Sequence, residues 1–112
     1  MSEGPFFTVR FLASAEQDLR SLGTYVAQDS KAKASKLISQ LVDACQSLAQ
    51  FPHRGHIPLE LSGLSDHYLQ IYQGPYRLIY QIKPPQVVIF AILDGRRDLT
   101  ELLPTRFGED AP

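Results

Sequence analysis

Apolar residues recur along this chain with two different periods, and each change of period marks an element. Phe6, Phe7, Val9 and Phe11 crowd a short stretch that ends at Leu12, the pattern of a β-strand. Ser14 stands three residues ahead of Gln17, the spacing of a capping box that satisfies the free amides of a helix start. Ala15, Leu19, Leu22 and Val26 then recur at helical spacing and predict a first helix from about 15 to 28. Gly23 costs that helix stability and permits close packing against a neighbour. Asp29 and Ser30 break the pattern, and either can cap the next helix. Ala34, Leu37, Ile38, Leu41, Cys45, Leu48 and Ala49 form a helical stripe opposite Lys33, Lys36, Gln40, Asp43 and Gln46. This predicts a second helix from about 31 to 50. The very short connection makes the two helices an antiparallel hairpin, and neither buries its stripe unless the hairpin lies on a sheet.

Pro52 stops the second helix and Gly55 supplies a turn. Residues 58–66 read as loop, with Ser62-Gly63 as a turn signal. Residues 67–72 alternate polar or aromatic with aliphatic side chains, and Gln73-Gly74-Pro75 turns that strand back. Tyr76, Leu78, Tyr80 and Ile82 alternate with Arg77, Ile79 and Gln81, and Lys83-Pro84-Pro85-Gln86 leads into Val87-Val88-Ile89-Phe90-Ala91-Ile92-Leu93. These runs predict a hairpin. The last run does not alternate, so its strand is expected to be central and buried on both faces. Leu99, Leu102 and Leu103 predict one short helix stopped by Pro104. The expected fold is α+β, in the order β-α-α-β-β-β with a short C-terminal helix: an antiparallel sheet, joined by the first strand and packed by a helical hairpin.

Arg77 changes the picture. It lies in mid-strand on the face of Ile79, and a cation on a partly apolar face needs a partner or a purpose. Arg96 and Arg97 emerge where the central strand ends. The length of 112 residues fits one domain over 1–112, with a core over about 6–106 and flexible termini. The net charge of -1 gives no global nucleic-acid or membrane signal. Cys45 is the only cysteine, which excludes a disulfide within the chain; its place in the apolar stripe makes it a buried structural thiol. No stretch is long and apolar enough to span a bilayer, and residues 1–5 lack a signal-peptide pattern, so a cytoplasmic protein is expected.

The order of elements, with Asp18-Leu19 and Tyr25, then residues 48–55, then 74–82, then Ile92-Leu93-Asp94-Gly95-Arg96-Arg97-Asp98, resembles the RelE/ParE superfamily of bacterial toxins. The likeness covers about residues 7–106. The Pro-Tyr-Arg-x-x-Tyr strand and the closing Gly-Arg-Arg-Asp look most like the ParE branch. The resemblance implies the toxin of a type II toxin–antitoxin system, a growth inhibitor of the kind that serves plasmid stabilisation. A small cognate antitoxin would neutralise it, and no cofactor or metal is implied. ParE-like members poison DNA gyrase and are not known as nucleases. RelE-like members cut messenger RNA in the ribosome, so a ribosome-dependent mRNA endonuclease is the alternative. An inactive homologue that only binds antitoxin is a further one.

The site residues follow the same division. A nuclease would use Arg77, Arg96 and Arg97 on the scissile phosphate, with Tyr80 or a histidine assisting, because guanidinium forks meet phosphate oxygens in pairs. A gyrase- or antitoxin-binding protein would use Arg54, Arg77, Asp94, Arg96, Arg97 and Asp98. Arg77 has a structural alternative, an ion pair with Asp94, Asp98 or Glu101, and Arg96 and Arg97 have one as a solvated pair. Many superfamily members carry a histidine where this chain has Asp94, which would be ionised and would repel phosphate. Residues 58–66 contain no Lys or Arg, unlike the lysine-rich ribosome cutters. Both departures favour the non-enzymatic branch. His53, Arg54 and His56 read as loop residues before a metal pair or a general base. Tyr25, Tyr68, Tyr72, Tyr76 and Tyr80 read as packing residues with wet hydroxyls before base-stacking ones. The antitoxin is expected to be partly disordered and to fold here, as a helix along the helical hairpin or a strand on an open sheet edge.

Overall fold

The chain's architecture, taken from a computed structural model that describes residues 7–102 and Arg106, is a four-stranded sheet carrying a helical hairpin on one face. Strand β1 (Thr8–Phe11) leads into helix α1 (Ala13–Ala27), and helix α2 (Lys31–Gln46) follows. A meander completes the sheet: β2 (Leu69–Gln73), β3 (Tyr76–Lys83) and β4 (Gln86–Asp94). The strand order is β1-β4-β3-β2, so β4 is internal as its unbroken apolar run predicts. The meander is antiparallel, but β1 runs parallel to β4, from Thr8 opposite Gln86 to Phe11 opposite Ile89. The three-stranded antiparallel meander is as expected, and the first strand joins it as expected but in parallel, since no turn links it to β4 and fixes an antiparallel sense. Residue 6, expected in the first strand, and Leu103, expected in the last helix, lie outside the described residues, as do the termini expected to be flexible.

Both faces of β4 are covered. Val87, Ile89 and Ile92 pack with Leu78 and Tyr80 against Ala15, Leu41, Cys45 and Leu48 of the helical layer. Val88, Phe90, Ala91 and Leu93 pack with Ile79 under Leu61, Tyr68 and Leu99. The inward positions of β4 shift from odd to even because the register slips once, with Ile79 opposite Ala91 but Tyr80 opposite Ile89. Phe90 is the extra residue of this bulge, so Phe90 and Ala91 both pack in the layer opposite the helices. Burial pushes the Cys45 thiol up to about 12, as expected of an unreactive core cysteine.

The helix ends differ from the expectation in instructive ways. The amide of Leu12 still pairs with the Ile89 carbonyl at 3.0 Å, so the chain leaves the sheet at Leu12 and that residue takes the cap position. Ser14 therefore falls inside the first turn and the capping box does not form. The Gln17 side chain turns instead to Arg20 and Ser21. Ser30 does cap α2, its hydroxyl accepting from the Lys33 amide at 3.1 Å. The second helix ends at Gln46, earlier than expected, and tightens into a single 3-10 turn over Ser47–Ala49. Gly23 sits against Ile38, where an added Cβ would lie 3.4 Å from its side chain.

The sheet edges are more fully occupied than the sequence suggests. Beyond β2, His56 exchanges backbone hydrogen bonds with Gln70, at 3.0 and 2.7 Å. Beyond the end of β1, Asp18 of α1 accepts the Ile92 amide at 2.9 Å, and Arg106 donates to the Phe90 carbonyl at 3.3 Å. Asp18 and Arg106 are paired at 2.8 Å through both carboxylate oxygens. An ion pair thus stands in for a missing strand along the second half of β4.

Candidate functional site

Arg77 projects from β3 into the layer opposite the helices, and its side chain is 5% exposed. Its partner is Glu60. Nη2 donates to Oε1 at 2.6 Å and Nη1 to Oε2 at 2.7 Å, a bidentate pair. The Nε donates to Gln70 Oε1 at 2.9 Å, and Nη1 also reaches the Arg97 carbonyl at 3.1 Å. Glu60 Oε2 in turn accepts the Leu99 amide at 2.9 Å. The Arg77 guanidinium holds the Glu60 carboxyl down to about 2, and Glu60 raises Arg77 further. This corrects the expected partners. Asp94 binds Arg96, Asp98 accepts from the Thr100 amide and hydroxyl, and Glu101 is exposed.

Gln70 extends the network outward. Its Nε2 lies 3.1 Å from His56 Nε2, and the His56 ring stacks on Tyr72 with centroids 6.2 Å apart. Tyr80 belongs to the opposite layer and is fully buried. Its hydroxyl donates to the Pro52 carbonyl at 2.6 Å and accepts from the Gly55 amide at 3.1 Å. Burial raises its pKa above the ordinary phenol value. Gly55 is required here, because a Cβ would strike the Tyr80 hydroxyl and lie 2.8 Å from the Gln70 carbonyl. Both Arg77 and Tyr80 therefore spend their polar atoms on holding loops to the sheet.

The end of β4 presents the remaining cations. The Gly95 amide donates to the Pro75 carbonyl at 2.8 Å, so close that a Cβ on residue 95 would lie 2.7 Å from that oxygen. The following turn closes with the Arg97 amide on the Asp94 carbonyl at 2.9 Å. Asp94 accepts from the Arg96 backbone at 2.9 Å and from its Nε at 3.1 Å, and Arg96 holds that carboxyl below its usual value. The Arg96 side chain is 92% exposed. Arg97 is exposed too, and its guanidinium makes no hydrogen bond among the described residues. The three arginines thus gather at one end of the sheet, but only two of them face outward.

The other expected site residues are spread more widely. Arg54 is exposed and donates to the Ser47 hydroxyl at 2.7 Å, fastening the loop to the end of α2. His53 is exposed beside it. Among the described residues, no three His, Cys, Asp or Glu side chains gather as metal ligands. Tyr68 packs on Phe90 with ring centroids 4.9 Å apart, while Tyr25 and Tyr72 are largely exposed. Sequence alone does not point to Glu60, Gln70 or Arg106, nor to what Asp18 holds. For Glu60 a signal existed: it is a lone acid within the apolar run Ile57-Pro58-Leu59-Glu60-Leu61.

A family model described as the ParE toxin of a type II toxin–antitoxin system matches residues 9–99. No curated protein sequence matches the chain significantly. Among solved structures, a chain from a chromosomal ParDE toxin–antitoxin system of P. aeruginosa is similar in fold, with a TM-score of 0.66 and 17% identity over 80% of this chain and 96% of that one. A chain of the RelBE2 toxin–antitoxin complex from Mycobacterium tuberculosis superposes with a TM-score of 0.59 at 24% identity, over 82% of this chain and 94% of that one.

Proposed function

Since the chain belongs to the ParE toxin family of type II toxin–antitoxin systems, we propose that it arrests growth by binding DNA gyrase in the cytoplasm and trapping the enzyme with its DNA cleaved. No bond-making by the toxin itself is involved. The observation that carries this reading is the burial of the groups a nuclease would need. Arg77 is 5% exposed, and four hydrogen bonds tie its guanidinium to Glu60, Gln70 and the Arg97 carbonyl. The Tyr80 hydroxyl is buried between Pro52 and Gly55. A general acid or base must come within hydrogen-bond reach of its substrate, and neither group is placed to do so. Asp94 adds a carboxylate where a phosphate would approach. Arg96 and Arg97, exposed on a turn fixed by Gly95, suit carboxylates or other acceptors on a protein surface.

The partner in the resting state is a small cognate antitoxin. The two solved relatives come from toxin–antitoxin systems, and this chain offers an apolar groove between its helices, lined by Leu19, Gly23, Ala27, Ala34, Ile38 and Val42. An amphipathic antitoxin helix would fill that groove and bury its stripe. Purified toxin added to a gyrase supercoiling reaction should produce linear DNA after denaturation of the enzyme. The same toxin added to translating ribosomes should leave message 5′ ends unchanged. New 5′ ends with intact gyrase activity would replace this reading with the ribosomal one.

A further inference from the structure

Gly23 weakens α1 without being needed by the fold. It sits well inside the helix, where glycine is a poorer helix former than alanine. Its φ is not positive, and an added Cβ would meet only the Ile38 side chain, at 3.4 and 3.5 Å, an ordinary contact. Gly23 opens instead on the groove between α1 and α2, a space of about 920 Å³ whose larger apolar walls are Leu19, Ile38 and Val42. At Gly23 that wall is bare backbone, so an incoming side chain can approach α1 more closely there than beside any larger residue.

The rim of the groove carries charge of one sign. Arg20 and Lys31 line it with Thr24, Ser35 and Ser39, and none of the lining residues is acidic. Glu16, Asp29 and Asp43 are exposed on the same hairpin but do not line the groove, and Asp29 pairs with Lys33 at 3.6 Å. Arg20 is engaged by the Gln17 side chain of its own helix at 3.1 and 3.3 Å, an exposed contact that a carboxylate displaces at little cost. The lined stretch runs from Leu19 to Ala27 on α1 and from Lys31 to Val42 on α2. At the helical rise per residue this is roughly 12 to 17 Å, the length of about two to three helical turns.

We propose that Gly23 is the specificity-determining residue of this groove: it admits a large apolar side chain from one antitoxin helix, whose flank sets acidic residues beside Arg20 and Lys31. This rests on the reading of the groove as the antitoxin's seat and states the chemistry of the helix that fits it. A second copy of this chain fits poorly, because two such grooves face to face bring Arg20 and Lys31 against their own kind. A phosphodiester backbone would leave the apolar walls unused.

The probes are two fluorescein-labelled helical peptides of about 18 residues, longer than the groove, with one shared leucine stripe. Glutamates flank the stripe in one and lysines in the other, and each is titrated into the purified full chain. At low salt the wild type should bind the glutamate peptide roughly tenfold more tightly, a preference that shrinks as salt rises. Arg20→Ala/Lys31→Ala should bind the two alike. Gly23→Ala and Gly23→Leu should melt no lower than the wild type, yet bind the glutamate peptide roughly threefold and tenfold more weakly. Should the leucine variant melt lower, Gly23→Ala decides alone. Equal binding of the two peptides by the wild type, binding of neither, or undiminished binding by Gly23→Ala overturns the proposal. So does a wild-type dimer in sedimentation that Gly23→Leu abolishes, since a second copy is then the occupant. Growth arrest on induced expression reads the toxin assignment separately. A chain that arrests growth but binds neither peptide overturns the groove proposal alone. A chain that does not arrest growth overturns the toxin reading, and the glutamate preference with its loss in the Gly23 variants then still supports a groove for an acidic helix.

Discussion

Glu60 and Arg77 meet through both carboxylate oxygens, at 2.6 and 2.7 Å, and between them they hold the backbone of residues 97 and 99. The pair binds a loop, a central strand and the turn after β4 into one corner of the molecule. Removing one member strands the other. Arg77→Ala should lower stability by about 3 kcal/mol, the scale for breaking a buried pair, and Arg77→Met combined with Glu60→Leu should recover much of that loss. Chemical denaturation of the three proteins checks this. Equal stability of wild type and Arg77→Ala would mean that the pair does not hold the corner.

The same pair sets the acid limit of the fold. The Glu60 carboxyl titrates near 4.5 when free and at about 2 when folded. A depressed pKa stabilises the fold above the unfolded value, and that contribution drains away as pH falls from about 4.5 toward 2. The loss should be on the order of 2 to 3 kcal/mol, allowing for the partial exposure of Glu60. Denaturant midpoints measured between pH 6 and 2 should therefore slope more steeply for the wild type than for Glu60→Gln.

Tyr80 is a strut rather than a reagent. Tyr80→Phe leaves the Gly55 amide and the Pro52 carbonyl without their partner and should cost about 1 to 3 kcal/mol. At expression levels corrected for that loss it should still arrest growth. Gly55→Ala should cost more, because the added methyl meets the Tyr80 hydroxyl and the Gln70 carbonyl from a fixed backbone.

Asp18 closes the open part of β4 from the helix side. Asp18→Ala removes the acceptor for the Ile92 amide and the carboxylate that Arg106 grips. Hydrogen exchange at Ile92 should quicken markedly, while amides at the β3–β4 ladder keep their protection. Unchanged exchange at Ile92 would show that the carboxylate does not guard that edge.

Much of this architecture could be read from the chain. The helices follow from the stripe of Leu37, Leu41, Cys45 and Leu48, and β4 follows from a run too apolar to have a wet face. Those signals are local and repeat within a few residues. The missed features join distant segments. The parallel β1/β4 pairing and the bulge at Phe90 depend on which strands come to lie side by side. Arg77 is legible as a cation needing a partner, but the candidates Asp94, Asp98 and Glu101 are not that partner. Glu60 lies 17 residues before Arg77 in a loop whose path no periodicity reveals. Ser14 failed as a cap for a related reason: a hydrogen bond from Leu12 to β4 fixes where α1 begins. At the candidate site, sequence alone placed Arg96 and Arg97 at the end of β4 but not the inward turn of Arg77.

The most direct measurement of the central claim is the amount of gyrase-linked, cleaved DNA formed when wild-type toxin and Arg96→Ala/Arg97→Ala are titrated into purified gyrase and plasmid. A toxin that acts by docking its exposed arginines should give dose-dependent cleavage with the wild type. The variant should give roughly tenfold less at equal dose, with its melting temperature unchanged. Cleavage absent with the wild type, or equal in both proteins, would contradict the account.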